Sequence, residues 1–169
     1  MRPDGTLQSW ACKMLYDHAM AHSLSKIILP VVFSTKDREN LITVVIRGRL
    51  HAYLVQVGRS MGCEVHIVGG VADHVHLAVD FPRTITVADF LKKIKATSSK
   101  WMKEQGPEYR RFSWQVGYGA FSVSASHQAK LIDYIANQEE HHRKESFQDE
   151  FRKLIKKYGI EVDETYLWD

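Results

Sequence analysis

The spacing of apolar and polar residues predicts short strands interleaved with amphipathic helices. Between residues 72 and 81 the pattern alternates: Val75, Leu77 and Val79 share one face of a strand, and His74, His76 and Ala78 share the other. Residues 26–34 are apolar on both faces, as in a central strand, although Pro30 has no N–H for a ladder. Either a bulge or an N–H position without a neighbour is expected there. Over 41–61, Val45, Ile46, Leu50, Tyr53, Leu54 and Val57 recur at helical spacing, with Gly62 placed to end the helix. Gly48 inside that helix costs about 1 kcal/mol relative to Ala. Residues 63–68 predict a second strand, and Gly69-Gly70 a tight connection into the histidine strand. Thr86 and Asp89 stand in a capping-box arrangement ahead of a second helix, with Val87, Phe90, Leu91, Ile94, Trp101 and Met102 as its buried stripe. Gly106-Pro107 ends that helix, and a fourth strand is expected over 112–124, followed by helices over 127–143 and 147–158.

The order β-α-β-β-α-β is that of a ferredoxin-like or RRM-like α+β fold, an antiparallel sheet with both helices on one face. His74 and His76 would then look out from the opposite, open face, toward which the C-terminal helices can be laid. Residues 23–145 read as one domain and 146–169 as a charged helix with an acidic tail ending in Tyr166 and Trp168. Residues 1–22 read as an N-terminal extension, or an over-called start, in which Trp10, Met14 and Leu15 offer a short amphipathic turn.

Composition narrows the field only modestly. A chain of 169 residues, 44% hydrophobic and 25% charged, suits a soluble globular protein with a proper core. No apolar run approaches the roughly 20 residues needed to span a membrane, and no signal pattern opens the chain, so a cytoplasmic protein is expected. Cys12 and Cys63 are too few for a disulfide framework or a zinc site and read as free thiols. A formal charge of +3 permits a nucleic-acid partner without demanding one.

Two imidazoles two apart on a strand can bind one metal ion together. On the predicted helix over 127–143, Tyr134 and Gln138 stand four apart, so a phenol and an amide oxygen share one face. Rival groups are His66, the pair His141 and His142, and Tyr118. Adjacent helical residues diverge by about 100° and do not easily share an ion, and Tyr118 sits in a glycine-flexible segment suited to base stacking or local packing. Lysines 92, 93, 95, 100 and 103 form a helix face that is either simply solvated or a phosphate-contacting ridge.

Four ordered motifs carry a resemblance: Val32-Phe33-Ser34-Thr35-Lys36-Asp37-Arg38, then His74-Val75-His76, then Trp114-Gln115 with the stretch from Gly117 to Ser124, then Tyr134 to Gln138 and on to His142. Together, over about 23–143, they resemble the single-tyrosine HUH transposases. These enzymes move insertion sequences as single-stranded DNA, and some relatives are associated with repetitive extragenic palindromes. The resemblance implies that Tyr134 is the nucleophile, taking the 5′-phosphate and releasing a free 3′-OH. It implies a divalent ion, Mg²⁺ or Mn²⁺, held by His74, His76 and Gln138, with imidazole and amide donors suiting Mn²⁺ better. Lys36, Arg38, Lys92, Lys93 and Lys95 are the expected DNA contacts, and hairpin-bearing single-stranded DNA is the expected partner. A homodimer is expected, with Tyr134 of one subunit serving the other's histidines; a cis arrangement in a monomer is the alternative. Competing readings are a non-catalytic single-stranded nucleic-acid-binding module, a host-domesticated hairpin-processing nuclease and a small-molecule metal enzyme. An RRM-like binder would carry aromatics where the third strand carries His74 and His76.

Overall fold

A computed structural model describes residues 24–163. Cys12, the turn at Trp10, Met14 and Leu15, and the aromatic pair of the tail lie outside the described residues. The elements are β1 (Ile28–Ser34), α1 (Val44–Ser60), β2 (Glu64–Gly70), β3 (His74–Asp80), α2 (Val87–Lys103), β4 (Gly119–Ala120), α3 (Gln128–Ala136), α4 (Gln138–His142) and α5 (Phe147–Lys157). The four strands form one antiparallel sheet in the order β2-β3-β1-β4. This is the expected α+β arrangement. No helix among the described residues is long and apolar enough to cross a membrane.

Pleating divides the sheet as the alternation predicts. Val31, Phe33, Val75, Leu77 and Val79 point into the main core, where α1 brings Ile46, Leu50 and Leu54 and α2 brings Phe90, Leu91 and Ile94. Thr86 caps α2 by accepting from the Asp89 N–H at 3.0 Å. Cys63 is free and buried, and burial pushes its thiol up to about 11, so it is an inert core group.

Pro30 fits its central strand without a bulge in β1. It lies opposite Ala78, while its carbonyl faces the other way and accepts from the Phe121 N–H at 3.1 Å. In a strand, a residue's N–H and carbonyl point to the same side, so the missing N–H faces the β4 edge, where the named strand ends at Ala120. That edge is correspondingly short. The fourth strand expected over 112–124 contracts to two residues, and the rest of the segment meets β1 through isolated bridges, Thr35 to Trp114 and Ile28 to Val123. The second strand, by contrast, runs on through both glycines, so residues 71–73 make the connection to β3.

The second face is covered rather than open. α3 packs against β2 and β3, and α5 lays Phe147, Phe151, Leu154 and Tyr158 over Val32 and Phe121. The helix expected over 127–143 is interrupted at Asn137 (φ −99°, ψ 18°), whose side-chain amide donates back to the Asp133 carbonyl at 2.8 Å. α3 and α4 are therefore separate, and Tyr134 and Gln138 stand on different helices.

Elsewhere in α1, His51 is largely buried near Arg47, and burial followed by the Arg47 charge pushes it down to about 4. Above pH 6.5 the folded and unfolded states both hold it neutral. Below that the unfolded chain takes up the proton first, so folding stability falls as pH drops toward 4. Urea denaturation at pH 7 and pH 5 should show a His51→Gln variant losing about 2 kcal/mol less across that interval than the wild type. An equal loss would place the acid sensitivity elsewhere.

Candidate active site

β3 and the C-terminal helices converge on the second face. His74 and His76 are both buried, their rings 5.1 Å apart between centroids. His74 Nδ1 lies 2.7 Å from Asp73 Oδ1, and its ring stacks on Phe147 at 4.3 Å. Burial alone would raise the Asp73 carboxyl, but the hydrogen bond and charge of His74 win and hold it below its ordinary value. As an ionised carboxylate can only accept, His74 carries its proton on Nδ1 and turns the Nε2 lone pair inward.

His142 enters from the end of α4. Its Nδ1 donates to the Glu145 carbonyl at 3.0 Å, leaving Nε2 as a lone pair 2.9 Å from His74 Nε2 and 3.1 Å from Glu150 Oε2. Glu150, on α5, also stands 3.6 Å from His76 Nε2. Ligand atoms of His74, His76, His142 and Glu150 all lie within 4.8 Å of one another. Burial pushes His76 down to about 3, with the neighbouring His142 and His141 charges adding to it, and burial pushes Glu150 up to about 7. Burial likewise lowers His74 and His142. Three imidazoles are thus held as neutral donors around one point.

The residues fit a metal ion on observations of their own. His76 Nε2 and both Glu150 oxygens are buried without a hydrogen-bond partner, a costly state that a cation would relieve. Gln138, the third ligand expected from sequence, is buried, and neither of its amide atoms has a hydrogen-bond partner.

Tyr134 stands beside this cluster in the same chain. Its ring lies 6.1 Å from the His76 ring and 5.3 Å from that of His141. It lines a cleft of about 630 Å³ that also takes in His76, Glu150, Val32, Phe121 and Leu131, with Lys130, Lys153 and Lys157 among its lining residues. Apolar walls with lysines beside them suit a strand of nucleotides, whose bases stack and whose phosphates are anionic.

One glycine sets how closely α3 approaches. Gly69 pairs with His76 in the sheet, and a Cβ placed there would lie 2.3 Å from the Ile135 carbonyl oxygen and 2.7 Å from Ile135 Cγ2. The helix therefore rests on bare backbone one residue past Tyr134. Gly69→Ala should lift α3 off the sheet and slow any reaction that uses Tyr134 roughly 10²-fold, the scale set by about 1 Å of misplacement. The core formed with α1 and α2 should persist. Single-turnover rates, together with near-ultraviolet circular dichroism, check both halves.

The remaining expectations are distributed around the molecule. Lys36 and Arg38 are exposed in a 3-10 turn, Lys36–Arg38, and Arg38 lines a smaller cavity of about 140 Å³ with Gln115, Tyr118 and Phe147. Lys92 and Lys93 are exposed on α2, across the sheet from the cleft. Lys95 is turned inward, donating to the carbonyls of Val116 and Gly117 at 3.0 and 2.9 Å, and burial lowers it to about 8. His66 sits at an irregularity of β2, near Gln128 and in a separate group with Glu64 and Asp80. Sequence reasoning weighs His142 only as half of a rival pair with His141, and it singles out neither Glu150 nor the three cleft lysines.

Comparison with known proteins agrees with this architecture. Residues 23–138 match the family model described as Transposase IS200 like. The chain belongs to the IS200-like transposase family. Among solved structures it is similar to a protein of Deinococcus radiodurans R1 provisionally assigned as a transposase, with TM-score 0.56 and 23% identity over 69% of this chain and 94% of that one. It is also similar to a REP-associated tyrosine transposase bound to a REP hairpin, with TM-score 0.55 and 13% identity over 72% of this chain and 71% of that one. No curated protein matches the sequence. At these identities the structural likenesses speak for the fold, while the family match makes the chain a DNA-processing enzyme. Its matched segment ends at Gln138, four residues short of His142.

Proposed function

We propose that this transposase cleaves and rejoins single-stranded DNA through a covalent bond to Tyr134. The observation that carries the reading is the position of Tyr134, beside His76 on the wall of the lysine-lined cleft. The phenol oxygen attacks the scissile phosphorus, the bond from phosphorus to the 3′-oxygen breaks, and that oxygen leaves with a proton as a free 3′-OH. A tyrosyl ester retains the energy of the broken bond, so attack by another 3′-OH reverses the step and joins a new strand without ATP. A bound divalent ion, Mg²⁺ or Mn²⁺, would supply charge stabilisation to the phosphate as negative charge develops on it. His74 and His76 would hold it, with Gln138 as the further donor the family resemblance implies. Asp73 and Glu145 orient two of the imidazoles from behind.

A single-stranded substrate is supported by the cleft, whose lining from Val32 to Phe121 offers apolar surface for unpaired bases. A hairpin next to the cleavage site is what the family resemblance implies, and the REP hairpin that the similar structure holds supports it. Lys36, Arg38, Lys92 and Lys93 would contact the DNA backbone outside the cleft, and Lys130, Lys153 and Lys157 inside it.

The test is a single-stranded hairpin oligonucleotide labelled at either end and incubated with the full chain and Mn²⁺. A detergent-resistant adduct should carry the label of the fragment 3′ to the cut, and the other fragment should be extendable by a polymerase. Adducts carrying the opposite fragment, or equal cleavage of duplex, would defeat the proposal.

A further inference from the structure

We infer that the metal centre of this chain is a four-donor site of its own, His74, His76, His142 and Glu150, which takes a transition ion such as Mn²⁺ or Zn²⁺ in preference to Mg²⁺ and fastens α5 to the sheet. The inference rests on the metal-dependent reading above and adds two ligands from beyond the family-matched segment, which ends at Gln138.

Geometry is the first support. Ligands about 2.1 Å from a tetrahedral ion lie roughly 3.4 Å from each other. The spacings here are 2.9 Å from His74 Nε2 to His142 Nε2, 3.1 Å from His142 Nε2 to Glu150 Oε2 and 3.6 Å from His76 Nε2 to Glu150 Oε2. These three pairs need shifts of a few tenths of an ångström, and the other pairs, all within 4.8 Å, need no more than about 1.4 Å to seat an ion.

Proton placement is the second. His142 Nδ1 faces a carbonyl, which only accepts, and His74 Nδ1 faces a carboxylate. Each ring thus spends its N–H outward and brings a bare lone pair inward. Two such lone pairs at 2.9 Å repel unless a cation lies against them. Outward hydrogen bonds of this kind are also what orients metal-ligating imidazoles in general.

The third support lies in the sequence of α5. Phe147, Phe151, Leu154 and Tyr158 make its apolar stripe, and Glu150 falls within that stripe, one turn from both Phe147 and Leu154. It is 4% exposed, and neither oxygen has a hydrogen-bond partner. A carboxylate buried in an apolar layer needs a compensating charge. The exposed lysines of α5 do not provide it. Three nitrogens and one carboxylate oxygen form a donor set for zinc or manganese, either of which can expand its coordination to take a phosphate oxygen as well, whereas Mg²⁺ prefers six oxygens in octahedral geometry.

The consequence reaches the substrate cleft. α5 contributes Lys153 and Lys157 to its lining, so an ion bound by Glu150 would order the DNA-binding wall as well as the reaction centre.

Calorimetric titration of the metal-free full-length chain tests the assignment. One Mn²⁺ or Zn²⁺ should bind per chain, at least about tenfold tighter than Mg²⁺. His142→Ala and Glu150→Gln should each weaken Mn²⁺ at least about tenfold, while Gln138→Ala changes it less. Hydrogen exchange across 147–157 should slow on adding Mn²⁺ to the wild type and not to Glu150→Gln. That variant also removes a buried charge, so it should melt no lower than the wild type when both are metal-free, which separates ligand loss from misfolding. If His142→Ala and Glu150→Gln bind as the wild type while His76→Ala does not, the four-donor site is overturned and the metal-dependent reading stands. Preference for Mg²⁺, or loss on Gln138→Ala alone, also overturns it. A wild type that binds no ion overturns both.

Discussion

Replacing Tyr134 by phenylalanine is expected to leave the chain folded and able to bind hairpin DNA, and to reduce cleavage by on the order of 10³-fold or more. The ring keeps its place between His76 and His141, so the packing of α3 on β2 and β3 is unaltered. Tyr109 and Tyr158 show what a structural tyrosine does in this fold: the first pairs its hydroxyl with Thr43 at 2.8 Å, and the second donates to the Ser122 carbonyl at 2.9 Å. Tyr134 has no such hydroxyl partner among the described residues. Losing that oxygen should therefore shift stability by no more than about 0.5 kcal/mol. Covalent adducts on a denaturing gel, read alongside DNA affinity, separate chemistry from binding. Tyr118 is the internal control, because it is exposed, lines the smaller cavity and sits near Phe147, which stacks on His74. Adducts that persist in Tyr134→Phe and vanish in Tyr118→Phe would move the nucleophile to the glycine-rich segment.

The contrast between β3 and α5 shows what a sequence can disclose here. A two-residue period fixes faces, so His74 and His76 could be placed together, opposite Val75 and Leu77, from the alternation alone. Capping chemistry is equally local, which is why Thr86 marked the start of α2. The β4 segment was overestimated because its apolar residues are divided. Phe112 and Trp114 turn into the main core, where the Trp114 indole donates to Ser98 Oγ at 2.9 Å, while Phe121 joins the cluster under α5. No period separates those two destinations.

His142 was harder. The divergence of adjacent helical residues argues correctly that His141 and His142 do not share an ion, and they do point apart, one toward Tyr134 and the other toward His74. Only one of them is needed. Its arrival depends on the interruption at Asn137, a helix-compatible residue whose side chain competes for the Asp133 carbonyl. Glu150 left a readable signal, a carboxylate inside an apolar stripe, which is evident once α5 is treated as a packing element rather than a charged tail. Gly69 gave none, since the helix it admits is some 65 residues away in sequence.

Whether the site is completed within one chain or between two can be settled by mixing inactive variants. We expect His76→Ala and Tyr134→Phe, combined under conditions that exchange subunits, to remain inactive. The chain brings its own Tyr134 to its own His76, and Ile135, 1% exposed, is set into the space that Gly69 leaves. Handing Tyr134 to a neighbour would pull Ile135 out of that seat, forfeiting burial worth about 2 kcal/mol before any interface forms. Exchange would be favoured by an unpaired β4 edge that invites a partner strand. That edge is two residues long, its Gly119 is packed under Phe151, and Tyr158 stacks on Phe121 at 4.7 Å. Short and covered edges are poor templates for pairing. In cis, neither variant chain holds both groups, and a dimer formed through any other surface would not change that. In trans, one of the two sites in a heterodimer would receive an intact His76 from one chain and an intact Tyr134 from the other. Recovery of cleavage to a substantial fraction of wild type, with subunit exchange shown by mass-tagged chains, would therefore sink the single-chain site and restore the shared one.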